Sequence, residues 1–155
     1  WSSLPRATRK LPQAIATYAR ALVTAGETVA AEKLLREAID DQREPVLVRL
    51  YGELVLPDAL NPLDRAESWL RKAPEDPELL AACARLALQA ELIGKSRSYL
   101  EASLARKPSA ENSLLYAELL DQLGEGDRAR TVLRDSVARS VGRRPALPRV
   151  RLRRR

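Results

Sequence analysis

Small residues recur in this chain at a spacing that closely packed helix pairs explain. Ala19, Gly52, Ala84 and Ala117 follow one another at intervals of 33, 32 and 33 residues. Each is followed by a second small residue: Ala31, Ala66, Ser96 and Ala129. The step is twelve residues in three copies and fourteen from Gly52 to Ala66, where Pro57 and Pro62 mark two extra linker residues. Four positions beyond the second small residue come Leu35, Leu70, Leu100 and Leu133. Where two helices cross, a small side chain on each lets the backbones approach, and the leucine fills the adjoining groove. The eight small residues are therefore read as packing positions.

The surrounding pattern is helical. Ile15, Tyr18, Ala19 and Leu22, like Leu79, Leu80, Cys83 and Leu86, lie three or four apart and form one apolar stripe. Strict alternation is rare, so the fold class is all-α. A period near 34 built from two helices is the tetratricopeptide (TPR) signature. The expected architecture is an α-α superhelix, a right-handed solenoid of about four TPR-like pairs over residues 1–140, with pairs near 5–43, 45–75, 77–108 and 110–140. Asn61 before Pro62, and Asp76 before Pro77, each suit an N-cap followed by Pro at the first helical position. Gly26 and Gly124 suit the left-handed turn that closes a first helix. A further helix is expected after Pro5, and the last from about Asp127 to Arg139, before Gly142, Pro145 and Pro148.

Composition narrows the function. Among 155 residues there is no His and no Met, and Cys83 is the single thiol. The usual general base and commonest metal ligand are missing, so the chain is expected not to be an enzyme, with no metal site and no resident cofactor. Its net charge of +6 is local: seven Arg and no acid fall in 143–155, and the remainder carries 20 basic against 21 acidic residues. A folded nucleic-acid surface would cluster excess positive charge; the body has none, so no nucleic-acid partner is expected. The segment 141–155 is read as a basic, disordered tail, with a contact to anionic lipid or nucleic acid as the alternatives. No apolar stretch reaches the length of a membrane span. The chain opens at Trp1, not Met, and is read as a soluble piece of a longer protein.

Two local patterns have structural explanations. Gly124, Gly126 and Ala129 satisfy GxGxxA, but a dinucleotide site needs a strand before the motif, and a helix is expected there. Cys83 occupies the slot held by Tyr18, Tyr51 and Tyr116 in the other copies, so all four are read as core. The residues that follow the first small positions are Arg20, Glu53, Arg85 and Glu118, alternating in sign on the face expected to be concave. Arg49, Gln89, Asp121 and Gln122 belong to the same expected surface. They form either a ladder of ion pairs between repeats or a groove for a partner segment.

The stretches LIGKSRSYLEASLARKP (Leu92–Pro108) and LYAELLDQLG (Leu115–Gly124) resemble the C-terminal region of the HemY family. So do Trp1, Leu4, Pro5 and Arg9, the triplet Leu50-Tyr51-Gly52, and Glu67 through Leu70. The resemblance covers residues 1–140 and excludes the basic tail. These are TPR proteins of proteobacterial heme-biosynthesis operons. The resemblance implies two N-terminal membrane spans outside this sequence, and a repeat domain on the cytoplasmic side of the inner membrane. It implies association with late porphyrin and heme synthesis, and no catalytic residues. The expected function is a non-catalytic protein-protein interaction scaffold whose partners are heme-pathway enzymes; its oligomeric state is open. The alternative is a heme or porphyrin carrier, holding tetrapyrrole through Arg20, Arg49 and Arg85 with Cys83 or Tyr as the only iron ligands on offer.

Overall fold

The computed structural model describes residues 1–3 and 5–142. Leu4 and the basic stretch beyond Gly142 lie outside the described residues, and with them the reading of that tail. Among the described residues, eight α-helices follow one short 3-10 turn, Thr8–Lys10: α1 (Pro12–Thr24), α2 (Thr28–Asp41), α3 (Pro45–Glu53), α4 (Leu60–Leu70), α5 (Pro77–Gln89), α6 (Ile93–Arg106), α7 (Ala110–Gln122) and α8 (Gly126–Ser140). Among the described residues there is no strand. The fold is all-α: α1 with α2, α5 with α6 and α7 with α8 pack as the expected pairs. Helices α3 and α4 instead each pack on α5 rather than on each other, so Gly52 meets Ala82 of α5 and not Ala66.

The chain divides into two compact units, Trp1–Lys107 with α1 to α6, and a second beginning at Pro108 with α7 and α8. In the first unit α1 packs on α2 and α3, and α5 packs on α3, α4 and α6. Helix α5 is the most enclosed: Leu79, Leu80, Ala81, Ala82, Cys83, Ala84, Leu86 and Ala87 are all buried. In the second unit α7 and α8 pack as a hairpin. All eight small residues, Ala19, Ala31, Gly52, Ala66, Ala84, Ser96, Ala117 and Ala129, are buried.

Helix ends follow local chemistry. The Asp76 carboxylate accepts from the Glu78 and Leu79 amides, with Pro77 opening α5. Gly26 and Gly124 have φ of +83° and +76°, and Gly142 has +63°. The equivalent turn between α5 and α6 uses Glu91 at φ +58°, a conformation that crowds an L side chain. In both kinds of turn the following amide reaches back to the preceding helix: Glu27 N to Leu22 O and Leu92 N to Ala87 O, each at 2.8 Å.

Two expected starts are corrected. The segment after Pro5 makes only the 3-10 turn. Leu11 is extended (φ −71°, ψ 129°), as a residue before proline tends to be, and this separates the turn from α1. Helix α4 begins at Leu60, not after Asn61. Its N-cap is Ala59, which has no capping side chain; the residue before it, Asp58, takes the first-turn donors instead, its Oδ1 accepting from the Leu60 amide at 2.9 Å and its Oδ2 accepting from Asn61 Nδ2 at 2.6 Å. Pro62 sits in the first turn, where its missing N–H leaves no helix bond unmade.

Candidate docking groove

Helices α1 and α3 are the first helices of their pairs and pack side by side. Ala19 turns toward the core, which places Arg20, Val23 and Thr24 along the outer edge of α1; Leu50 and Glu53 line the facing edge of α3, with Leu54 just past its end. Together with Leu35 of α2 they enclose a groove of about 390 Å³. Leu35, Leu50 and Leu54 are buried and form an apolar floor, whereas Arg20 and Glu53 are exposed. Among the described residues neither Arg20 nor Glu53 has an ion-pair partner. Two opposite, unspent charges therefore stand on the walls of an apolar trough.

The remaining sequence-derived candidates divide. Arg49, one turn before Glu53, reaches Glu78 of α5 at 3.5 Å. Gln89 donates its Nε2–H to Leu54 O at 2.8 Å, satisfying a carbonyl beyond the end of α3. Both therefore brace the second pair against the third. Arg85 is half-buried, with Nη1 3.5 Å from Ala81 O. The ladder of ion pairs thus exists at Arg49–Glu78 and not between Arg20 and Glu53. Glu118, Asp121 and Gln122 are exposed on α7 of the second unit.

The residues considered as ligands are engaged inside the fold. Cys83 is buried; desolvation first, then the Glu67 charge, push its thiol up to about 12, so the thiolate that would bind iron is disfavoured. Tyr51 is fully enclosed and donates to Glu32 Oε1 at 2.9 Å. Tyr18, expected in the core, is only half-buried and stacks on Trp1 with ring centres 4.4 Å apart, while buried Tyr116 accepts from Arg128 Nη2 at 3.4 Å. Helix α7 precedes the Gly124–Gly126 motif, so the strand a dinucleotide site needs is replaced by a helix. No cluster of three or more His, Cys, Asp or Glu suited to a metal occurs among the described residues, and none of their helices is long and apolar enough to cross a membrane.

One repeating device went unread in the sequence. Arg65 and Trp69, four apart on α4, both hold Asp40 of α2, the indole N–H at 2.8 Å. Lys95 and Tyr99, four apart on α6, both hold Glu67 of α4, at 3.0 and 2.8 Å. Helices α4 and α6 thus each clasp a carboxylate of the preceding second helix. The signal was a base immediately before the second small residue and an aromatic three after it.

No family model and no curated protein sequence matches the chain. Solved structures do. A MamA fragment (41-end) from Desulfovibrio magneticus RS-1 superposes with a TM-score of 0.62 at 12% identity, over 86% of this chain and 77% of that one. The MamA RS-1 ArsTM double mutant gives 0.61 at 12% identity, with the same coverage. At that identity the likeness establishes a TPR-like helical-repeat fold, and function has to be argued from the sites.

Proposed function

We propose that this chain is a non-catalytic interaction module whose α1–α3 groove docks a segment of a partner protein. The observation that carries the reading is the pair Arg20 and Glu53, exposed and, among the described residues, without ion-pair partners across a floor of Leu35, Leu50 and Leu54. Charges placed this way orient a segment, and exposed Val23 on the rim gives it apolar surface to cover. The resemblance to the HemY family supports the finer half of the proposal: the partner is an enzyme of late porphyrin synthesis, met at the cytoplasmic face of the inner membrane by an anchored full-length protein. Affinity capture from membranes in mild detergent tests it. Recovery of a late tetrapyrrole enzyme, lost in Arg20→Glu and Glu53→Arg, is expected. Capture of no such enzyme would overturn the pathway assignment, and capture unchanged by both reversals would overturn the groove.

The carrier alternative has less support. Cys83, Tyr51 and Tyr116 are buried and Tyr18 is half-buried in its stack on Trp1, which leaves no fully exposed Cys or Tyr on α1, α3, α5 or α7. Hemin titrated into the protein is expected to give no saturable Soret shift; a saturable one would favour the carrier.

A further inference from the structure

A second cleft, of about 550 Å³, lies away from the α1–α3 groove, between α2, the α3–α4 linker and the start of α4. Its volume falls within the roughly 300–1,000 Å³ of small-ligand sites. Its linker wall is the segment that breaks the repeat, where the second pair carries two extra residues around Pro57. Insertions in repeat proteins map to loops on one face, often the binding face. Val29, Leu56, Pro57 and Pro62 make the walls apolar, and Val29 remains 70% exposed.

The polar groups lining this cleft are spent unevenly. Glu32 Oε1 already accepts from the Tyr51 hydroxyl at 2.9 Å and from Arg36 Nε at 3.1 Å. Both oxygens of Asp58 are taken, by the Leu60 amide and Asn61. Arg36 uses only its Nε among the described residues, leaving its terminal N–H groups unspent. Arg65 uses one terminal nitrogen on Asp40, lies with its guanidinium carbon 5.7 Å from the centre of the Trp69 ring, and keeps a buried Nε with no partner. Both arginines are thus ion-paired, to Glu32 and Asp40, yet each keeps N–H groups beyond its pair, while Glu32 Oε2 has only a 3.5 Å contact from Arg36. Both guanidiniums are also held from behind, by Glu32 and Asp40, which lowers the entropy lost when a ligand engages them.

We infer that this cleft binds a carboxylate carried on an apolar body, the carboxylate meeting Arg36 and Arg65 and the body lying against Val29, Leu56 and the two prolines. Such a group comes either from a small aliphatic acid or from a peptide chain end. Calorimetric titration of the whole chain with octanoate, and separately with the acetylated peptide Val-Leu-Ala-Leu ending in a free carboxylate, tests this and distinguishes the sources. At least one acid is expected to saturate, with its amide (octanamide, or the peptide amide) binding at least about tenfold more weakly. Arg36→Gln and Arg65→Gln are each expected to weaken the acid by a similar factor, and Lys33→Gln, elsewhere on α2, to leave it unchanged. Should Arg65→Gln unfold through loss of its Asp40 contact, Arg36→Gln and a shift of the Arg36 Nε–H resonance on titration still decide the matter. Failure of both acids to saturate by about 10 mM, amides binding equally well, or an Arg36→Gln protein that binds as before would overturn the inference.

Discussion

Gly52 of α3 and Ala82 of α5 touch so closely that a Cβ built on the glycine would lie 2.7 Å from the Ala82 Cα and 2.9 Å from its Cβ. The clash would be with backbone, which cannot rotate away. Gly52→Ala is therefore expected to destabilise by about 1–3 kcal/mol, the cost of overpacking, read from urea midpoints. Gly94, in the first turn of α6 with nothing within 4 Å of its Cβ position, is the control: Gly94→Ala should be neutral or stabilise by up to about 0.5–1 kcal/mol. Equal losses at both positions would contradict the close-approach argument.

Glu91 occupies the left-handed turn position that Gly26 and Gly124 fill in other pairs. Relieving it should help. Glu91→Gly is expected to stabilise by about 1 kcal/mol, and Gly26→Ala and Gly124→Ala to destabilise by a similar amount. Denaturant unfolding of the three variants checks the opposed signs.

The hydroxyls of Tyr51 and Tyr99 serve carboxylates of the preceding second helix at 2.9 and 2.8 Å. Removing either hydroxyl leaves a carboxylate with one donor fewer. Tyr99→Phe, at a half-buried position, should cost about 1 kcal/mol, and Tyr51→Phe, fully enclosed, about 2 kcal/mol. The order of the two losses is what the measurement decides.

Stability should fall at both ends of the pH scale. Burial alone would raise the Asp40 and Glu67 carboxyls. The Trp69 and Arg65 hydrogen bonds to Asp40, and those of Lys95 and Tyr99 to Glu67, outweigh it, with nearby positive charge, and hold both below their ordinary 3.8 and 4.5. A depressed native value stabilises the fold above the unfolded value, so this contribution is intact above pH 4.5 and is lost as pH falls through the native values. Cys83 and Tyr51 are raised from 9.0 and 10.0, mainly by burial, and Tyr99 is raised by burial and by its bond to Glu67. Their contribution is full below pH 9 and lost as pH rises beyond it. Melting temperatures should form a plateau between about pH 5 and 9; a flat profile from pH 5 to 3 would contradict the clasps.

The helical pairs were legible because close packing restricts side-chain size: Ala19 and Ala31, or Ala84 and Ser96, record a helix crossing in sequence alone. Helix starts were less so. Asp58, ahead of the Ala59 cap, holds the first turn of α4 because the two extra linker residues shift its start, a displacement the Asn61-Pro62 pattern hides. Arg20 and Glu53 could be placed on one face from their offset to the small residues. That Arg49 and Gln89 would be drawn off to Glu78 and Leu54 could not, since both choices depend on how α5 meets the end of the nine-residue α3. The clasps escaped for the same reason: which acid Trp69 or Tyr99 finds is set by the packing of helices about thirty residues apart.

The most direct measurement of the central claim is site-specific photocrosslinking in membranes, with the photoreactive residue at Val23 on the groove rim of the intact protein and at Lys33 as a control. A partner adduct at Val23, absent at Lys33 and abolished by Arg20→Glu and by Glu53→Arg, is the expected result. No adduct at Val23, or one indifferent to both reversals, would contradict it.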